Sequence, residues 1–158
     1  MSSALQAWKL AEEGVFTWIR EILGGDYDQN AFLAELPKDY DFTNENYMWY
    51  FAVTGGGTPL DFDINMNTAG GCGSFQMNAE LGGIFETRED AQECAGQIMD
   101  STPMPSSTVD NVTRFKISEN PTIERDIIPR KSDQAQGGDM RIWKLGITFE
   151  IIFEDATA

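Results

Sequence analysis

Polar and apolar residues alternate most regularly near the carboxyl end of the chain. In Met140–Glu154, Trp143, Leu145, Ile147, Phe149, Ile151 and Phe153 recur at period two, with Ile142, Lys144, Gly146, Thr148 and Glu150 between them. Successive side chains of a strand point to opposite faces, so this stretch predicts one long strand with a single apolar side. Ser74–Phe85 repeats the pattern with Phe75, Met77, Ala79 and Leu81, and Gly82–Gly83 predicts a bulge or sharp bend. Tyr47–Val53 is aromatic on both faces, as suits a central strand, and the T-G-G-G-T-P that follows predicts a break. Shorter strands are predicted over Val112–Ile117, with Arg114 and Lys116 on one face, and over Ile123–Ile128, closed by Pro129.

Helical spacing appears twice. Over Ser3–Leu23 the apolar positions Leu5, Trp8, Ala11, Val15, Trp18, Ile19 and Ile22 fall on one side, Ser3 and Gln6 resemble a capping box, and Gly24–Gly25 is a stop. The two tryptophans fit core packing or a binding surface. Over Thr87–Met99, Thr87 is the expected N-cap, Glu89 and Asp90 suit the positive helix end, and Ala91, Cys94, Ala95, Ile98 and Met99 form a narrow stripe. A third, short helix is expected over Asn30–Leu36, ending at Pro37. Strands and helices that segregate in this way predict an α+β fold: a mostly antiparallel sheet with an N-terminal helix and a second helix packed on it. One domain is expected over residues 1–158, with a glycine-rich insert at 55–73 and an exposed loop at 130–139.

Composition narrows the function. The 158 residues hold 26 acids and 11 bases, a net charge of -15. Only three bases stand against 13 acids up to Thr87. With no basic run, the chain is not expected to grip nucleic acid by neutralising phosphates. An acidic wall could still let DNA slide past without sticking. Histidine is absent, which removes the commonest general base and transition-metal ligand. Neither a serine-hydrolase elbow nor a cysteine–histidine pair is present, so no catalytic residue is assigned. Glu12 with Glu13, or Asp61 with Asp63, supply paired carboxylates, but adjacent acids are common at this charge. Asp61, Asp63 and Asn65 also alternate in a way loosely similar to a calcium loop, without its glycine and closing glutamate; the same alternation fits a strand edge. Cys72 and Cys94 fit no zinc spacing, and Cys94 is expected as a buried thiol, with a disulfide to Cys72 as the alternative. Asn111-Val112-Thr113 matches a glycosylation sequon and reads as chance. No apolar run is long enough to span a membrane and no secretion signal opens the chain, so a cytoplasmic origin is expected.

The order of these signals resembles the tail terminator (tail completion) proteins of long-tailed bacteriophages. The opening helix A-L-Q-A-W-K-L-A-E-E-G-V-F-T-W-I, the strand F-Q-M-N-A-E-L followed by T-R-E-D-A-Q-E-C-A-G-Q-I-M, and the closing R-I-W-K-L-G-I-T-F-E-I-I-F carry the likeness. It rests on layout across most of the chain; Asp26–Asn46 and Gly55–Gly73 have no assigned counterpart. The resemblance implies a homo-oligomeric ring, a hexamer, that caps the tail tube protein, stops its growth and joins it to the head-side connector or neck; the acidic charge of such a ring would let DNA pass the lumen without specific binding. It implies a virion location, no cofactor and no catalytic residue. Arg130 and Lys131, bases on an open arm in an acidic chain, are candidate subunit-interface residues, together with Asp61 and Asp63. Alternatives are another virion part, such as a tail tube or head–tail joining subunit, or a small metal-binding module or enzyme.

Overall fold

The computed structural model describes residues 3–25, 27, 30–37, 47–59, 74–103, 109, 111–129 and 139–154. Its spine is the long strand near the carboxyl end, β6 (Asp139–Glu154). β3 (Ser74–Phe85) runs antiparallel along one side of β6, from Ser74 opposite Glu154 to Phe85 opposite Trp143. Two shorter strands share the other side: β4 (Val112–Ile117) pairs with the Phe149–Phe153 half and β5 (Thr122–Pro129) with the Asp139–Gly146 half. β2 (Tyr47–Pro59) lies antiparallel beyond β3, and β1 (Ala31–Leu33) lies parallel beyond β2. α1 (Ser3–Leu23) and α2 (Arg88–Ser101) complete the fold. It is α+β, a mostly antiparallel six-stranded sheet with an N-terminal helix.

The register explains why period two was so legible. Phe51, Leu81 and Ile147 form one cross-strand row; Val53, Ala79, Phe149 and Ile117 form the next. Apolar side chains of all four central strands therefore share one face, and both helices cover it. Phe149 stacks on Phe115 at 4.5 Å between ring centroids, and Phe75 on Phe153 at 5.4 Å. Cross-strand aromatic pairs of this kind contribute beyond the area they bury. α1 presents Ala7, Ala11, Val15, Ile19 and Leu23, all buried. Ala11, Val15 and Ile19 of the expected stripe are thus at its buried centre, while Leu5 is 45% exposed and Trp8 and Trp18 are only partly buried on its flank. A tryptophan is long enough to reach the sheet from the flank, as Trp18 does edge-on to Phe115 at 5.2 Å, while alanine and valine let the helix axis come close. α2 matches its prediction: the Thr87 hydroxyl accepts from the Asp90 backbone N–H at 3.1 Å, and Ala91, Cys94, Ala95 and Ile98 are buried. Met99, expected in the stripe, is 49% exposed.

Four expectations are corrected. The segment read as a short helix from Asn30 forms β1. Its backbone bonds go to β2, where Trp49 N–H donates to Asn30 C=O and Ala34 N–H to Phe51 C=O. Seven residues cannot sustain a helix on local bonds alone, and an adjacent strand edge satisfies the same groups. The predicted break at Thr54–Pro59 is instead strand: β2 runs through the glycines to Pro59 and absorbs them as register shifts between Val53 and Gly55 and between Gly55 and Thr58. Gly82–Gly83 makes no bulge, since β3 keeps continuous register there with both neighbours. Asp139, read as loop, opens β6 opposite Pro129; residues 130–138 and 60–73 lie outside the described residues.

Candidate interaction surface

None of the four sequence-predicted interface residues is within the described part of the chain: Asp61, Asp63, Arg130 and Lys131 all lie outside it, as do Asn65 and Cys72. The other candidates separate clearly. Cys94 is a free, buried thiol, pushed up to about 12 by burial and then by the Glu93 charge, so it stays protonated and unreactive. Burial, with the neighbouring Glu13 charge, raises Glu12, while a hydrogen bond from the Val53 backbone N–H opposes the rise. Glu12 therefore caps an edge donor of β2. Asn111 of the sequon is 6% exposed and its amide donates to Ala7 C=O at 2.8 Å, so the folded chain has no room for a glycan there. Among the described residues, no three His, Cys, Asp or Glu side chains are grouped to hold a metal ion. No described helix is long and apolar enough to cross a membrane.

The sheet face away from the helices carries the other half of each alternating pattern. One end is closed by a small apolar cluster, Met48, Ile84 and Ile142, with Phe32 and Leu36 packed on it. Next to it the face opens into a groove of about 430 Å³. The groove owes its depth to a row of four cross-strand positions: Tyr50 on β2, Gly82 on β3, Gly146 on β6 and Thr122 on β5. Two facing glycines leave bare backbone as the floor. Tyr50 reaches across from β2, and a Cβ at Gly82 would lie 2.5 Å from its hydroxyl oxygen. On the other side a Cβ at Gly146 would lie 3.1 Å from Thr122 Oγ1 and 3.9 Å from Glu80 Oε1. Three oxygen-bearing side chains thus converge over one glycine pair.

Electrostatics give the groove its character. The Tyr50 hydroxyl is raised by burial and by the Glu80 carboxylate, which keeps it neutral. Lys144 lines the groove but is engaged by Asp126 at 3.3 Å. Asp126 also accepts from the Ile127 backbone N–H at 2.8 Å, and that bond, with Lys144, holds its carboxyl below the usual range. Among the described residues Glu80 and Glu124 have no basic partner. The lining thus combines two carboxylates with two hydroxyls that can donate or accept and one paired lysine.

The outer sheet edge is less receptive. Asp126 occupies a backbone donor of β5, and Arg125 folds over Trp143 at 5.2 Å from the ring centroid. Charged side chains along an edge discourage further strand pairing. Sequence reasoning missed Tyr50, Glu80, Thr122 and Gly146 as a set. Alternation alone marks Gly82 only as a bulge or sharp bend, and the set exists only once the register aligns four strands. No protein-family model matches the sequence, and no curated protein matches it at a significant level.

Proposed function

We propose that this chain is a structural virion protein of a long-tailed bacteriophage, a ring-forming tail terminator that caps the tail tube and joins it to the head-side connector. The observation that carries the reading is the element order. α1 opens the chain, β3 passes through the two-residue link Glu86–Thr87 into α2, and the long β6 comes last with Trp143 near its start. These are the three segments on which the resemblance rests. The architecture supports it further: β6 is paired along both sides, one face is sealed by helices, and the other keeps an open, polar groove. A net charge of -15 suits a subunit whose assembled lumen passes DNA without holding it.

Native mass measurement and electron microscopy of the purified protein, alone and with tail tubes, test the reading. The expected result is closed rings, hexamers by mass, or rings that form on tube ends. A protein that stays monomeric and ignores tail tubes overturns it. Open-ended polymers would instead assign the chain to the tube itself.

A further inference from the structure

On the sheet face away from the helices, most bases are already paired. Lys144 is held by Asp126 and Lys116 by Glu150 at 3.7 Å. Among the described residues of that face, Arg114 is the base left without an acid. It is exposed on β4 opposite Ile152, and the buried Phe115 beside it takes the helix side. Glu80 and Glu124, the acids of the groove, have no base. The two sites do not meet within one copy. The groove row crosses β6 at Gly146 and the Arg114 row at Ile152, and at about 3.3 Å per residue that separates them by about 20 Å, beyond the span of one arginine side chain. We infer that this face binds the same face of a second copy of the chain, each copy's Arg114 entering the other's groove between Glu80 and Glu124.

Register singles out the second copy and the arginine. β4 and β5 lie on the same side of β6. A two-fold axis across the strands at Phe149 therefore lays the Ile152 row of each copy on the Gly146 row of the other. Arg114 then faces the second copy's Thr122. Glu124 is next along β5 on that face, and Glu80 reaches in from β3, its Oε1 3.9 Å from where a Gly146 Cβ would stand. Stacked sheets sit about 10 Å apart, a gap that an arginine crosses. The glycine floor leaves depth for its planar guanidinium, which two carboxylates and a hydroxyl can then bind. The same axis sets the exposed Glu154 against the second copy's Lys144, and Asn78 against its Glu80. Midway, the paired Glu150 meets the neutral Thr148. Acid thus meets base at both ends of the face, the complementarity that fixes register and excludes wrong partners. Such a pair does not need the ring, and two rings joined by it would carry dihedral symmetry.

Sedimentation and native mass of the full chain over a concentration series test this. The expected result is a dimer, or paired rings where rings form. Arg114→Glu and Glu124→Arg are each expected to weaken that pairing at least about tenfold. Both residues are exposed, so melting is expected to stay as in the wild type. The double variant reverses the sign of the contact and is expected to pair more tightly than either single, because the two residues act through one interaction. A wild type that stays monomeric or forms only single rings overturns the inference. So do single variants that pair as the wild type does, or a double in which the two losses multiply. Single rings on tail tubes with no face-to-face pairing would leave the ring reading standing alone; dimers that never close into rings would do the reverse.

Discussion

Tyr50 lies over Gly82, and a Cβ placed on that glycine would come within 2.3 Å of the tyrosine Cζ. The ring and the glycine depend on each other: β3 needs a residue without a side chain there, and the ring covers backbone that would otherwise face solvent. Gly82→Ala is therefore expected to cost about 1–3 kcal/mol by overpacking. The same change in a Tyr50→Ala background is expected to cost much less, because the obstruction has gone. Urea denaturation of the two singles and the double gives the coupling directly, and strict additivity would show that the ring is not the obstacle.

Phe149 is the aromatic centre of the helix-covered face. It stacks on Phe115, tilts against Phe51 at 6.3 Å, and shares its row with the small Ala79, which leaves space for the ring. It is fully buried. Phe149→Ala is expected to cost about 3–5 kcal/mol, and Phe149→Leu distinctly less, since leucine refills most of the volume. Chemical denaturation checks both. A loss under about 1 kcal/mol for the alanine variant would mean that the face is not packed as described.

The helix-covered face was largely readable in the chain, whereas the groove was not, and the reason is physical. Leu145, Ile147, Phe149, Ile151 and Phe153 declare their face because burial against helices demands an unbroken apolar run, which a sequence displays directly. The centre of the α1 stripe, Ala11, Val15 and Ile19, is legible, but its edges are not: tryptophans count as strongly apolar wherever they sit, while Ala7, which does pack, carries little signal. β1 was missed because three residues hold no period; β2 supplies the bonds that make them a strand. The groove depends on Tyr50, Gly82, Gly146 and Thr122 standing side by side, from four strands and as far apart in sequence as 50 and 146. Alternation fixes which face a residue takes, and only register fixes its neighbour.

Asn111 joins three parts of the fold. Its amide donates to Ala7 C=O in α1 at 2.8 Å and to Glu154 C=O at the end of β6 at 3.5 Å, while its own C=O accepts from the Glu154 backbone N–H. The site is buried, so an alanine there leaves the Ala7 carbonyl with one acceptor position unfilled and no water at hand. Asn111→Ala is expected to cost about 1–3 kcal/mol. Hydrogen exchange should rise at the start of α1 and the end of β6 more than at α2. Uniform protection, with unchanged stability, would mean that the amide is not the tie.

Glu12 supplies a pH signature of its own. Burial and the Glu13 charge place its folded-state pKa above the ordinary 4.5, despite the Val53 N–H that favours the ionised form. An acid raised by folding stabilises the fold below its unfolded pKa, and that contribution is lost as pH rises through the folded value. At neutral pH the fold therefore carries an ionised carboxylate in a place that prefers it neutral. Glu12→Gln keeps an acceptor for Val53 and removes the charge, so it is expected to melt at or above the wild type at pH 7. The group is only partly buried, so solvent screening holds the gain to less than about 1 kcal/mol. The difference should close as pH falls to 4.5 and below, where the wild-type carboxyl also becomes neutral. Melting curves of both proteins across pH 4–7 (roughly the range in which a raised carboxyl titrates) decide the matter. A variant less stable than wild type at pH 7 would show that the Val53 bond outweighs the burial, and that Glu12 holds the β2 edge as an anion.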